Sequence, residues 1–186
     1  MHVASFAHPA RNVEVFSLKP GSTVVDFGAG SGAYTFALAE VVGDPGRVYA
    51  IDVQQDLLRR IKNEAHRRGL LSVHTLWGNI EKEYGSKIGG SQADLVLMSN
   101  VLFQLEDPQV AFAEAHRVLK KRARLVVIDW EDTLPGGGQS HTRVGPSRKH
   151  LFKKDKAHEC AFHARFRFIE EFSAGAHHYG LIFERV

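Results

Sequence analysis

Short apolar runs rich in β-branched residues alternate with segments whose apolar positions recur at helical spacing. That alternation predicts an α/β fold with a mostly parallel sheet. The first run, Thr23 to Phe27, follows the turn-like Lys19-Pro20-Gly21-Ser22 and leads into a helical pattern from about Ser31 to Val42. After the turn Gly43-Asp44-Pro45-Gly46 comes a second strand, Arg47 to Val53. In Asp56 to Arg68, Leu57, Leu58, Ile61 and Ala65 share one helical face, and Gly69 is placed to cap the end. The third strand is Val73 to Trp77, with Trp77 read as a core residue. Asp94 to Ser99 is nearly all apolar, as a strand covered on both faces should be. Asp107 and Pro108 open a helix with the stripe Ala111, Ala115, Val118 and Leu119. A fifth strand follows at Arg124 to Trp130, then a glycine-rich stretch from Leu134 to Ser147 and a basic helix from about His150 to Ala164. The last two strands, Phe166 to Phe172 and His177 to Arg185, are linked only by Ser173 to Ala176, which permits an antiparallel hairpin and no helical crossover. The expected fold is a doubly wound, seven-stranded, mostly parallel sheet in a single domain over residues 1–186.

Composition narrows this picture a little. Hydrophobic residues make up 44% and charged residues 24%, which excludes a disordered or fibrous chain. The net charge of +3 assigns no nucleic-acid partner by itself. It conceals a local excess, because residues 143 to 156 carry Arg143, Arg148, Lys149, Lys153, Lys154 and Lys156 against Asp155 alone, a local +5. The ordinary reading of such a run is a solvated helix face. The single cysteine, Cys160, makes no internal disulfide, there is no apolar span of membrane length, and a cytoplasmic location is expected.

The segment Val24-Val25-Asp26-Phe27-Gly28-Ala29-Gly30-Ser31-Gly32-Ala33 joins the first strand to the first helix. Glycines in this place let the backbone turn sharply at the carboxyl end of the sheet, where open α/β folds bind ligands. Gly28, Gly30 and Ala33 also satisfy the dinucleotide pattern G-x-G-x-x-G/A, so the glycines alone leave an NAD(P)-binding protein open. Asp26 argues against it. A fixed carboxylate 4 Å from a pyrophosphate charge is repelled by about 4 kcal/mol at an effective dielectric near 20, whereas a ligand with ammonium and sulfonium groups is attracted. Asp52 ends the second strand, 20 residues after Gly32, where a carboxylate accepts hydrogen bonds from both hydroxyls of a ribose.

The Asp-x-Gly-x-Gly-x-Gly run resembles motif I of the class I S-adenosylmethionine-dependent methyltransferases, and the likeness extends over roughly residues 10 to 186. The resemblance implies a Rossmann-like methyltransferase fold ending in an antiparallel hairpin, with S-adenosylmethionine as cofactor. It implies that Asp26, Gly28, Gly30, Gly32, Asp52 and Val53 hold the cofactor, and that Asn79 and Ile80 meet its adenine. Asn79 stands where the family often has Asp, which loses a charge and keeps an acceptor oxygen. Ser99 and Asn100 fall in the segment under the methionine part. Asn100 is followed by Val101 instead of the Pro-Pro of base-amine methylating enzymes, so methylation of adenine or cytosine amines is disfavoured. Asp129-Trp130-Glu131 with Gly145-Pro146 is similar to the branch of the quinone-biosynthesis C-methyltransferases.

Methyl transfer asks mainly for alignment and exclusion of water, so no catalytic residue is required by the chemistry and none is assigned. Tyr34, Phe103 and Trp130 are aromatic candidates for shielding the cationic methyl. Of the 11 histidines, His141, His177 and His178 are candidates for facing the acceptor, although an ordinary surface or packed role is the simpler reading. His158 and His163 are five apart and diverge on a helix, so no metal site is expected. The expected partner is a small-molecule methyl acceptor, of anionic character if the basic run faces it. The alternative is a non-catalytic, RNA-directed protein of the same fold, recognised by steep salt dependence. Met1 to Arg11 reads as a short lid, and acceptor specificity is expected from Met1 to Phe16 and Leu134 to His163.

Overall fold

The computed structural model describes residues 8–131 and 150–186. Its strands are β1 (Thr23–Phe27), β2 (Arg47–Asp52), β3 (Val73–Trp77), β4 (Ala93–Ser99), β5 (Leu119–Trp130), β6 (Phe166–Gly175) and β7 (His178–Arg185). They form one sheet in the order β3-β2-β1-β4-β5-β7-β6. β1 to β5 pair in parallel, and β7 enters antiparallel between β5 and β6. The order reverses between β1 and β4, and a crevice opens at the strand ends where it does so.

Helices α1 (Pro9–Asn12), α2 (Ala33–Val42) and α3 (Gln55–Arg68) cover one face, and α4 (Pro108–Val118) and α5 (Lys154–His163) the other. Alternation along each strand divides the core accordingly. Val24, Leu95, Leu97, Val126, Ile128 and Ile182 pack with Leu38 and Val42 of α2 and with Val13 and Phe16. Val25, Phe27, Val96, Met98, Val127 and Leu181 pack against Ala111, Phe112 and Ala115 of α4 and Ala157 and Ala161 of α5. Phe112 is fully buried, so its truncation to alanine costs about 3 to 5 kcal/mol in lost transfer energy and cavity.

α4 begins as its sequence signals require, with the Asp107 side chain accepting from the Gln109 backbone N–H at 3.1 Å and Pro108 in the first turn. One buried charge anchors the helix. Glu114 accepts from the Ser86 backbone N–H at 3.1 Å, from the Ser86 hydroxyl, and from Arg117 Nη2 at 2.7 Å. Burial pushes this carboxyl up, but the donors from Arg117 and Ser86 outweigh it and hold it below the usual carboxylate range.

Three expectations are corrected. β5 starts at Leu119, five residues before Arg124, because Leu119 pairs with Ala93 and the chain then bulges through Arg122 at φ 63 before Arg124 meets Leu95. β6 extends to Gly175 and leaves only Ala176 and His177 between the hairpin strands. Trp77 is not a core residue. β3 is the edge of the sheet, Trp77 is 57% exposed, and its indole N–H donates to the Val53 carbonyl at 3.1 Å.

Candidate functional site

A cleft of about 550 Å³ lies over the carboxyl ends of β1, β2 and β4 and the start of β7. Nine of the ten expected site residues line it: Asp26, Gly28, Gly30, Asp52, Val53, Asn79, Ile80, Ser99 and Asn100. Gly32 does not. It caps α2 at φ 82, and a Cβ there would lie 2.8 Å from Ile61 and 3.0 Å from Phe36, so its bare Cα serves the packing of α2 against α3.

The loop between β1 and α2 is held in shape by the sheet and by Asp52. Gly28 and Ala29 donate their N–H groups to the Ile51 carbonyl at 2.9 and 3.0 Å. Gly28 has φ 72, and a Cβ would meet the Val101 side chain at 2.5 Å, so any other residue there requires Val101 to shift. Asp52 accepts from the Gly30 N–H through Oδ2 and from the Gln54 N–H through Oδ1, each at 2.9 Å. A carboxylate anchored on both oxygens by backbone donors keeps its orientation and retains lone pairs for a ligand's hydroxyls. Asn79 is likewise fixed, its Oδ1 accepting from the Glu81 N–H at 2.9 Å in an Asx turn. Ile80 is buried in the cleft floor, whereas Val53 is exposed at its rim.

Asp26 is the buried charge of the site. Its Oδ2 accepts from Thr35 Oγ1 at 2.6 Å. Burial pushes the carboxyl up to about 6; the Thr35 hydrogen bond opposes this, and the nearby Asp52 charge adds to it. Among the described residues Ser99 Oγ, which lies near the Tyr34 hydroxyl, and Asn100 Oδ1 are buried without a hydrogen bond of good geometry, and both residues line the cleft. Asn100 takes φ 54, a left-handed conformation that Asn tolerates better than most residues, and its backbone N–H donates to the Ile128 carbonyl at 2.8 Å. These unpaired atoms call for a polar ligand, and with the anchored Asp52 they fit S-adenosylmethionine, a nucleoside carrying an amino acid.

The far end of the cleft is aromatic. Tyr34 and Trp130 line it and Phe103 does not, since Phe103 packs against the core. The Tyr34 hydroxyl accepts from Asn12 Nδ2 at 2.7 Å, and Asn12 also donates to the Ala174 carbonyl at 2.9 Å. Burial pushes the Tyr34 phenol up to about 12. Asn12 thereby pins α1, whose Pro9 reaches the cleft, against both α2 and β6. His178 also lines this end, buried against Trp130.

Among the described lining residues the ionisable groups besides Tyr34 and His178 are carboxylates, Asp26, Asp52 and Glu81, with no Lys or Arg. Of the basic run, Arg143, Arg148 and Lys149 lie outside the described residues, as do all of residues 134–147, His141 and Gly145-Pro146 among them, and residues 1–7 of the expected lid. The described part is partly neutralised, which corrects the expectation that Asp155 alone opposes it. Lys154 Nζ bridges Glu131 at 2.6 Å and Glu171 at 2.7 Å, and Lys156 pairs with Glu159 at 2.9 Å. Among the described residues no group of three His, Cys, Asp or Glu side chains is placed to hold a metal; His158 packs edge-on against Phe168 and Phe183.

An open parallel sheet whose crevice joins a glycine loop, an anchored carboxylate at the end of β2 and unpaired polar atoms at the end of β4 defines a nucleoside-binding protein of the doubly wound class. The chain belongs to the methyltransferase domain family, whose model matches residues 18–184, and it has the fold of the class I S-adenosylmethionine-dependent methyltransferases. It is similar to a SAM-dependent methyltransferase from Aquifex aeolicus, with a TM-score of 0.83 and 27% identity over 97% of this chain and 90% of that one. Among curated proteins it is similar to the ubiquinone/menaquinone biosynthesis C-methyltransferase UbiE of Vibrio campbellii, 27% identical over 123 residues, 66% of this chain and 46% of the relative. The UbiE of Shewanella oneidensis is 24% identical over 163 residues, 78% of this chain and 64% of the relative. The chain therefore spans about half to two thirds of the length of these two relatives.

Proposed function

We propose that the protein transfers a methyl group from S-adenosylmethionine to a small-molecule acceptor. The observation that carries this reading is the charge of the cleft, where three carboxylates and no described cation line a site for a nucleoside. Such a lining opposes the pyrophosphate of a dinucleotide and favours a ligand bearing ammonium and sulfonium charges. When bound, the cofactor supplies an electrophilic methyl, which a nucleophile takes in line while the bonding pair stays on sulfur.

The chain's part in this is to bind, orient and exclude water. Asp52 accepts from the ribose hydroxyls, Val53, Asn79 and Ile80 surround the adenine, Gly28 shapes the loop beneath, and Gly30, whose Cβ position is open, leaves room for the ligand to approach. Asp26, in its ionised form, balances the ammonium, and Ser99 and Asn100 meet the amino-acid end. Tyr34 and Trp130 line the reacting end, and aromatic rings are a favourable surrounding for a methyl on a positive sulfur. Holding two reactants aligned in this way is worth several kcal/mol of the barrier.

A small-molecule acceptor suits that end of the cleft, whose described lining includes Tyr34, Trp130, His178 and Pro9. An anionic acceptor finds no counter-charge in the described lining, so that expectation rests on residues outside it. The RNA-directed alternative loses support from the ion pairs of Lys154 and Lys156. No helix among the described residues is long and apolar enough to cross a membrane, and a buried free thiol at Cys160 suits the reducing cytoplasm.

Calorimetry with S-adenosylhomocysteine and with NAD tests the reading. Binding of S-adenosylhomocysteine with NAD excluded is the expected result, and binding of NAD alone would overturn it.

A further inference from the structure

One side chain at the acceptor end is used by neither the glycine loop nor the ribose contact. His178 opens β7, and because β7 runs antiparallel, its first residue is the one that reaches the crevice. The β5–β7 register sets it directly opposite Trp130, and the two rings lie with centroids 4.2 Å apart at 40°. His178 is only 2% exposed, and among the described residues neither ring nitrogen has a hydrogen-bond partner. A buried polar group left unpaired is costly, and the cost is relieved when a ligand supplies the partner. Burial, with a smaller push from His177, lowers the ring to about 4, so it is neutral at ordinary pH and offers one N–H donor and one acceptor nitrogen.

The surroundings select among acceptor chemistries. The described lining offers an anion no cation. A protonated amine would be repelled by the sulfonium that the methyl-transfer reading places in the cleft. An uncharged hydroxyl compound meets neither obstacle, and its O–H matches an unpaired acceptor nitrogen. Resting on the methyl-transfer reading, we propose that His178 recognises the methyl acceptor by accepting a hydrogen bond from the hydroxyl of an uncharged, planar compound that lies against Trp130. In the transfer the O–H bond breaks as the O–CH₃ bond forms, the proton passes to the imidazole, and the electron pair of the broken S–CH₃ bond remains on sulfur. The positive charge lost from sulfur reappears on the ring, so the cleft keeps its net charge, and the imidazolium then returns its proton to solvent.

The test is nitrogen NMR of the full chain, labelled at histidine and saturated with sinefungin, an S-adenosylmethionine analogue that carries an ammonium in place of the sulfonium, titrated separately with p-cresol, toluene and benzylamine. His178→Phe assigns the resonances by their loss; it keeps a ring against Trp130 and removes the unpaired nitrogens, so folding is retained even if His178→Ala unfolds. The expected result is that p-cresol shifts the His178 nitrogens while toluene and benzylamine do not. In both variants p-cresol should bind at least about tenfold more weakly, the loss of one hydrogen bond, while S-adenosylhomocysteine affinity stays unchanged. Unmoved His178 resonances, equal shifts with benzylamine or toluene, or undiminished p-cresol binding in the phenylalanine variant would overturn the proposal. Failure of the wild-type protein to bind S-adenosylhomocysteine would instead overturn the reading of the cleft on which it rests.

Discussion

Cofactor affinity should fall as the pH is lowered, and Asp26 sets where. The carboxyl is buried, its hydrogen-bonding partner is Thr35 Oγ1 at 2.6 Å, and burial raises its pKa to about 6 in the free protein. A ligand ammonium favours the ionised form, so binding lowers this pKa and must release a proton from any molecule still carrying one. Above about pH 7 nearly every molecule is already ionised and affinity is flat. At about pH 5 roughly nine in ten carry the proton, so the dissociation constant of S-adenosylhomocysteine should be about tenfold weaker, near 1.4 kcal/mol. Calorimetry across that range reads the change directly, and the proton release appears as a dependence of the enthalpy on the buffer. Asp26→Asn should lower affinity at neutral pH by about 1.5 to 3 kcal/mol, as loss of a charged partner does, and abolish the slope. Thr35→Val, which removes the hydrogen bond that favours the charge, should move the inflection upward. An affinity flat from pH 5 to 7.5, or an unchanged slope in Asp26→Asn, would refute the argument.

Asp52→Ala frees the Gly30 and Gln54 N–H groups and removes the ribose acceptor, so S-adenosylhomocysteine should bind about 1 to 3 kcal/mol more weakly by calorimetry. Gly28→Ala combines a Cβ 2.5 Å from Val101 with a left-handed backbone and should cost about 1 to 3 kcal/mol in urea unfolding; Val101→Ala in the same chain should recover only part, because the φ penalty remains. Asn12→Ala removes two buried hydrogen bonds, to Tyr34 and to Ala174, and should lower stability by about 1 to 3 kcal/mol, measured in the same way. Asp129 is buried and raised to about 7, chiefly by burial, so its contribution to stability is complete below the ordinary carboxylate range and is lost as the pH rises through 7. Asp129→Asn should therefore remove a loss of stability that builds between about pH 4 and 7, so the variant's melting temperature should climb more steeply with pH over that window, where His178, lowered to about 4, costs stability in both proteins as the pH falls from about 6.5 toward 4.

The framework was legible in the sequence wherever a local signal and a buried pattern coincided. β1 and β3 have the expected bounds because turns flank short apolar runs, and α4 starts where Asp107 and Pro108 place it. The misreadings share a physical origin, since each depends on a partner distant in sequence. Trp77 looks like core until β3 proves to be the sheet edge, and the fifth strand looks to begin at Arg124 until Leu119 is seen to pair with Ala93. Gly32 sits in the same motif as Gly28, but what its missing Cβ makes room for is Ile61 on another helix. Asn12 has no local signature at all, because its acceptors are on α2 and at Ala174, 162 residues away. Adjacent histidines at 177 and 178 are indistinguishable in the sequence; pairing with Trp130 decides which one enters the cleft.

The antiparallel entry of β7 has a consequence for how this scaffold can diversify. The cofactor side of the cleft is assembled from loops that follow β1, β2 and β4, whereas Trp130 and His178 project from the facing ends of β5 and β7, outside those loops. On the proposed reading, the Trp130–His178 pair acts as an exchangeable cassette. Paired substitutions at 130 and 178 would redirect the enzyme to new acceptors while its grip on the methyl donor stays intact, and a library confined to that pair is the economical place to begin engineering it.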